Sequence, residues 1–144
     1  MTAPVRRLRA SATRVGLLRV ARGQLLPTKV GTALRDDPHA LFAHLAERLP
    51  GRPRDAFART ATPLVLLSVA AGRGHREPVA DLLTAAGWGT RGGGGVDPYA
   101  PGHAADDAVD VLYVAGAWRE IDWRNEVITP AGRALAHAAL TSTR

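Results

Sequence analysis

The sequence of 144 residues lacks cysteine entirely, has a single methionine and contains no long apolar run. Without cysteine the chain cannot form disulfides, thiolate zinc sites or a cysteine nucleophile, and its redox compartment stays undetermined. The longest apolar run, residues 63–71, is far shorter than the ~20 residues that a membrane-spanning helix needs. Arg14, Arg19 and Arg22 interrupt every stretch that could form the apolar part of a secretory signal. We therefore expect a soluble, cytoplasmic protein with no membrane partner.

Acidic residues are missing from the first 35 residues, which carry eight cations. Residues 36–72 are balanced, and from residue 73 onward seven arginines face nine acidic residues, so the net charge of +6 is entirely N-terminal. Such an excess is typical of a surface that binds nucleic acid or another polyanion. An organellar transit peptide has a similar composition, but the Gly-turn-Thr pattern that follows favours a folded segment.

An internal repeat is the most informative pattern that the sequence does contain. Segments 15–34 and 115–135 both begin near a glycine, continue with two short apolar runs split by a polar turn, and end in Thr-x-x-Gly-x-Ala-Leu. The glycine is predicted to end a helix with positive φ, the turn to form a β-hairpin, and the threonine to cap a second helix. The positions are Gly16 and Gly116 for the helix ends, 22–23 and 124–125 for the turns, and Thr28 and Thr129 for the caps.

Helical periodicity fills the sequence between the two copies. Asp37 before Pro38 predicts an N-cap, and Thr62 before Pro63 predicts another. The predicted elements after residue 60 are a helix over 62–71, a helix over 77–87, a mobile Gly-rich loop over 89–102, a helix over 103–115, a hairpin over 117–129 and a helix over 130–141.

Three helices followed by a two-stranded wing resemble a winged-helix domain. The repeated segments, the Asp-Asp-Pro-His-Ala-Leu-Phe stretch at 36–42 and the ending at 129–135 look like the helical, wing-bearing tails of uncharacterised actinobacterial proteins related to a plasmid-encoded open reading frame. The resemblance covers most of the chain, and it implies no established biochemical activity.

The expected fold class is mostly α with short β-hairpins (α+β), winged-helix-like, with two related helix-hairpin-helix units. An incomplete, basic N-terminal unit is expected over 1–50 and a C-terminal unit with the Gly-rich loop over 51–144. Only 14 residues precede the first hairpin unit, too few for the preceding helices, which predicts that Met1 lies inside what was a longer domain. The loop over 89–102 is longer than the usual turn of a helix-turn-helix.

The helix over 103–115 stands where a winged helix has its DNA-recognition helix. It contains Asp106, Asp107 and Asp110 but no Lys or Arg, so it would repel a phosphate backbone. The better nucleic-acid candidate is a set of N-terminal cations, here named the basic cluster: Arg6, Arg7, Arg9, Arg14, Arg19, Arg22 and Lys29. The alternative is a solvated basic face over an apolar stripe of Val5, Leu8, Ala12 and Val15.

Catalytic patterns are weak throughout the chain. A G-x-G-x-x-G match at 87–92 follows a predicted helix rather than a strand, so it reads as a loop. Asp106 and Asp110 share a helix face, which we interpret as solvated rather than as an acid–base pair. We expect no enzyme activity, cofactor, metal site or small-molecule substrate. The five histidines are predicted to be scattered surface or capping residues: His39, His44, His75, His103 and His137. The three serines, Ser11, Ser68 and Ser142, lack the sequence context of a nucleophile elbow.

Two of the three tryptophans, Trp88 and Trp118, are predicted to fill the core. Trp123, next to Arg124 at the tip of the second hairpin, is predicted to be a protein contact. The leading expectation is a non-catalytic binding or assembly module in a regulator-like protein, with another protein or a second copy as partner. The alternative is a DNA-binding transcriptional regulator that uses the basic cluster for weak, non-specific contacts.

Overall fold

Helices dominate the computed structural model, which describes residues 2–122 and 125–142. Two small antiparallel hairpins accompany them, so the expected α+β class is confirmed. No helix in the described part of the chain is long and apolar enough to cross a membrane. The elements are α1 (Ala3–Arg14), β1 (Leu18–Ala21), β2 (Gln24–Pro27), α2 (Lys29–Leu34), α3 (Pro38–Arg48), α4 (Ala56–Ala70), α5 (Glu77–Ala85), α6 (Ala100–Ala104), α7 (Asp106–Val114), β3 (Trp118–Asp122), β4 (Asn125–Ile128) and α8 (Pro130–Ser142).

The repeated segments fold into the same local motif. Each begins at a glycine with positive φ, 79° at Gly16 and 72° at Gly116. The Thr28 hydroxyl lies 2.6 Å from the Gly16 carbonyl oxygen and accepts the Gly31 N–H at 2.9 Å. In the second copy, the Thr129 hydroxyl makes the equivalent contacts at 2.8 and 3.1 Å. The threonine therefore caps the second helix and ties it to the end of the first, as the repeat predicts.

The glycine of Thr-x-x-Gly has a steric reason that the sequence alone did not reveal. A Cβ on Gly31 would overlap the carbonyl oxygen of Leu17, and a Cβ on Gly132 would overlap that of Ala117. Only glycine lets the second helix start this close to the chain that leaves the first helix.

The turn of the first hairpin is of the type that twists with the strands. Arg22 and Gly23 both have positive φ, 51° and 75°, as a two-residue type I′ turn requires. The strands pair in register around this turn, with Val20 opposite Leu25.

The predicted start of α4 is wrong. The helix begins at Ala56, and Asp55 caps it by accepting the Ala58 N–H at 2.7 Å. Thr62 is buried inside the helix and Pro63 lies within it. A proline in a helix interior costs about 3 kcal/mol, yet the helix continues through Pro63, and Ala58 and Ala61 before it are buried. By contrast, the predicted cap at Asp37 is confirmed by its 2.9 Å contact with the Ala40 N–H.

The single helix predicted over 103–115 is also wrong, because it is broken at Ala105 into α6 and α7. α6 begins at Ala100, so the last residues of the predicted Gly-rich loop are helical.

One large hydrophobic cluster joins residues of both predicted units. Val15, Ala46 and Leu49 come from the first 50 residues and pack in the same cluster as Leu112 and Leu135. Its other fully or mostly buried members lie after residue 50: Leu66, Val69, Ala108, Val111, Ala117, Trp118, Ala136 and Ala139.

A smaller cluster packs α4 against α5 and the residues around α6. Trp88 borders it, with its ring 5.2 Å from that of Phe57. Trp118 is 7% exposed in the large cluster, which confirms its predicted core position, whereas Trp88 is only partly buried.

Candidate binding surface

The two helices that precede the hairpins, α1 and α7, pack against each other. Arg7 Nε lies 3.0 Å from Asp110 Oδ1, and Arg14 Nη2 lies 3.0 Å from Asp107 Oδ1. The earlier residue of α1 pairs with the later residue of α7, so the helices run antiparallel. Equivalent helices of the repeat thus meet through a basic side and an acidic side.

The contact includes an aromatic ring as well as the carboxylates. The guanidinium carbon of Arg7 lies 4.3 Å from the centre of the Tyr113 ring, which adds a cation–π contact to its ion pair. The Asp110 side chain is 28% exposed and the arginine side chains are 36–45% exposed. Partly exposed ion pairs stabilise weakly, so this network contributes more to the alignment of the helices than to the free energy of folding.

The interpretation of Asp106 and Asp110 as a solvated face is wrong for Asp110, whose side chain is 28% exposed, whereas the Asp106 side chain is 52% exposed. Asp107 and Asp110 bind α1, and Asp106 Oδ2 lies 3.7 Å from Arg54 Nη2. The opposite charges of the two equivalent helices were visible in the sequence, but nothing there indicated that the copies contact each other.

The structure divides the basic cluster. Arg7 and Arg14 are paired with α7. The other five members are exposed, and none has an acidic partner among the described residues: Arg6, Arg9, Arg19, Arg22 and Lys29.

The first hairpin and its neighbouring helices expose apolar side chains. Val5 and Leu8 are each 52% exposed, so the apolar stripe predicted for α1 is buried only towards Val15. The first 30 residues are the most basic segment of the chain. They also contain five of the twelve large apolar residues that are exposed in the described part of the chain, namely Val5, Leu8, Val20, Leu25 and Val30.

The two faces of the first hairpin differ in chemistry. Side chains alternate along a strand, so the cross-strand pair Val20 and Leu25 lies on one face and Arg19 on the other. The apolar pair is 49% and 43% exposed. The hairpin therefore offers an apolar face suited to a protein, and on its other face Arg19 lies opposite Leu26.

The helix that follows the hairpin is buried on one side in the second copy and open in the first. Helix α8 packs on α3 and α4 and buries Leu135, Ala136 and Ala139. The equivalent helix of the first copy, α2, buries no residue. The same local motif thus has a helical cover in one copy and none within the described chain in the other.

A buried polar group lies under the second hairpin. His75 is 5% exposed, its ring stacks on Trp118 at 5.1 Å, and its Nδ1 lies 3.2 Å from Glu126 Oε2. Arg76 Nη2 lies 3.4 Å from the other oxygen of Glu126. The contact with His75 lowers the pKa of Glu126, and the positive charge of Arg76 acts in the same direction while burial opposes it.

The prediction that His75 is a surface or capping residue is wrong. Its partner Glu126 belongs to β4, and no local spacing in the sequence links the two. His44 does act as a cap, because its Nε2 lies 2.7 Å from the carbonyl oxygen of Val15 at the end of α1.

The predicted protein contact at Trp123 and Arg124 lies outside the described residues. The segment over 87–92 is a loop after α5, as expected. No family model, curated protein or solved structure matches this chain.

Proposed function

We propose that the chain is a non-catalytic, winged-helix-type binding and assembly module that contacts protein rather than reading DNA. Its setting would be a regulator-like or plasmid-open-reading-frame-like protein, as the sequence resemblance implies. In this proposal the units over 1–50 and 51–144 are the two related copies, and each hairpin is a wing.

The observation that carries the proposal is the antiparallel pairing of α1 with α7. A winged helix reads DNA with the helix before its wing. Here α7 holds that position, and its carboxylates Asp107 and Asp110 are occupied by arginines of α1. Insertion of α7 into a DNA groove would require α1 to leave and three carboxylates to approach phosphates, which is electrostatically unfavourable.

A second observation favours a protein partner for the surface that remains. The exposed pair Val20 and Leu25 offers apolar area next to the basic residues. Apolar side chains gain nothing from a phosphate backbone, whereas they are typical of the buried centre of a protein interface.

The alternative function is non-specific DNA binding by the five unpaired members of the basic cluster. Arg19 on the face opposite the apolar pair, with Arg6 and Arg9 on α1, would neutralise phosphates through a surface that α7 does not cover. Such binding would fall steeply with salt.

Fluorescence anisotropy with a labelled duplex across a salt series tests the choice. We expect little binding at physiological salt. Micromolar or tighter binding with a steep salt slope, lost in a triple variant of Arg19, Arg22 and Lys29 to Ala, would overturn the proposal in favour of the alternative.

A matched control removes the same number of charges elsewhere. Arg52, Arg59 and Arg91 are exposed and lie outside the basic cluster, so their triple change to Ala keeps the same net charge as the test variant. Equal loss of DNA binding in both variants would indicate a response to net charge rather than a surface at the first hairpin.

A further inference from the structure

We propose that the chain assembles head to tail, with the apolar face of the first hairpin docked in the groove between α4 and α5 of a second copy. The inference rests on the proposed function as a binding module and names its partner. The hairpin face consists of Val20 and Leu25, flanked by Arg22 at the turn and Lys29 at the start of α2.

The first hairpin contributes an apolar face that the rest of the described chain leaves exposed. Trp118 of the second hairpin, opposite Ile128, holds the position of Leu18 opposite Pro27 in the first. Trp118 is 7% exposed, and α8 packs on α4. In the first copy Val20, Leu25 and Val30 are 43–49% exposed. In the second copy α3 and α4 cover α8, whereas the strand pair Val20 and Leu25 of the first copy stays 49% and 43% exposed.

The chain carries a surface of that kind on the outer side of α4 and α5. These helices form an open groove of about 900 Å³. Leu67 from α4 and Leu82 from α5 line it and are 52% and 49% exposed. Ala71 and Ala85 add further apolar area with short side chains.

Charge favours a contact between unlike surfaces. The groove carries two carboxylates, Glu77 and Asp81, against one guanidinium, Arg73. The hairpin brings Arg22 and Lys29, and neither has an acidic partner among the described residues.

A symmetric contact between two hairpin faces would instead place like charges opposite each other, which is unfavourable. The complementary surfaces are therefore the hairpin face of one copy and the groove between α4 and α5 of the other. Such a contact uses different surfaces on the two copies, and it propagates into a ring or a filament.

Sedimentation velocity and light scattering over a concentration series test the assembly. We expect the average mass of the natural chain to rise at least about twofold above its 15.2 kDa monomer. Leu25→Glu on the hairpin and Leu82→Lys in the groove should each abolish this rise, because each places a charge of the repelling sign at the contact. Val127→Glu is the matched control, since Val127 is an exposed hairpin residue of the second copy, 48% exposed, and this change should leave the assembly intact.

Mixing the two variants separates this geometry from any symmetric one. The Leu25→Glu chain retains its groove and the Leu82→Lys chain retains its hairpin face. In an equimolar mixture the intact groove of one variant meets the intact hairpin face of the other, so assembly to at least twice the monomer mass should return. If the mixture stays monomeric, or if either variant alone still assembles, the head-to-tail contact is refuted.

Folding of the variants is checked by circular dichroism and thermal unfolding. If Leu25→Glu or Leu82→Lys loses its helical signal, Val20→Glu and Leu67→Lys repeat the test on the same two surfaces. A natural chain that stays monomeric at every concentration also overturns the inference. The anisotropy experiment measures DNA binding and this one measures self-association, so failure of the inference is distinguishable from failure of the proposed function.

Discussion

The change Gly132→Ala tests whether the close approach at the second Thr-x-x-Gly motif shapes the fold. A Cβ at Gly132 would overlap the carbonyl oxygen of Ala117 and lie 2.5 Å from its Cα and 2.7 Å from its carbonyl carbon. These are backbone atoms, so no rotamer change can relieve the overlap. Helix α8 would have to move away from the chain entering β3, and it carries Leu135, Ala136 and Ala139 into the main core.

The expected change in the free energy of unfolding follows from two destabilising contributions and one stabilising contribution. Overpacking of a well-filled core costs about 1–3 kcal/mol. Weakening of the Thr129 cap, whose hydroxyl accepts the Gly132 N–H at 3.1 Å, adds about 1 kcal/mol. The better helix propensity of alanine returns about 1 kcal/mol. The free energy of unfolding should therefore fall by about 2 kcal/mol, which lowers Tm by roughly 4–8 °C for a chain of this size.

Chemical denaturation followed by circular dichroism measures this change. Gly92→Ala is the control, because a Cβ there meets no atom within 4 Å, and its effect should stay within about 0.5 kcal/mol. If Gly132→Ala is as harmless as Gly92→Ala, the steric explanation of the repeated glycine is wrong.

Four further predictions concern the first unit and the buried polar groups. Gly31→Ala produces the same backbone overlap in the first copy, but α2 buries no residue. Hydrogen exchange of residues 18–34 should therefore accelerate. The loss of global stability should be smaller than the loss that Gly132→Ala causes. A double-mutant cycle on Arg7 and Asp110 should give a coupling energy of about 1 kcal/mol or less, because the pair is partly exposed, and a larger value would contradict a mainly orienting role. Ser11 is 3% exposed, and its hydroxyl has no hydrogen-bond partner among the described residues. Ser11→Ala should therefore leave the free energy of unfolding in urea unchanged or raise it by up to about 1 kcal/mol. A clear loss of stability would indicate that the hydroxyl does have a partner. The pKa of Glu126 is lower in the folded state than in the unfolded state, so its contribution to stability is present above the unfolded pKa and is lost as pH falls through the folded pKa. Urea unfolding at a series of pH values should show a smaller acid-side loss of stability for Glu126→Gln than for the natural chain.

Sequence reasoning worked best where a structure depends on neighbouring residues. The type I′ turn at 22–23, the caps at Thr28, Asp37 and Thr129, and the positive φ at Gly16 follow from steric rules within a few residues. The same rules failed at Thr62, where a Thr-Pro pair has the pattern of a helix start. Burial of the preceding turn in the core overrode that local preference.

The candidate surface was only partly visible in the sequence. The composition located the basic cluster, and five of its seven members have no acidic partner among the described residues. The loss of Arg7 and Arg14 to ion pairs depends on contact between helices that lie about a hundred residues apart. His75 was misjudged for the same reason, because its partner Glu126 comes from a distant strand.

By itself, the sequence determined the α+β class, the repeated helix-hairpin-helix motif and the position of the positive charge. Each of these depends on local backbone geometry or on counting residues. Tertiary structure alone decided that α1 neutralises the acidic side of α7, that His75 lies buried beside Glu126, and that one copy of the motif has a helical cover and the other does not. These features depend on how distant segments pack, because burial and opposite charge act between surfaces that sequence order does not bring together.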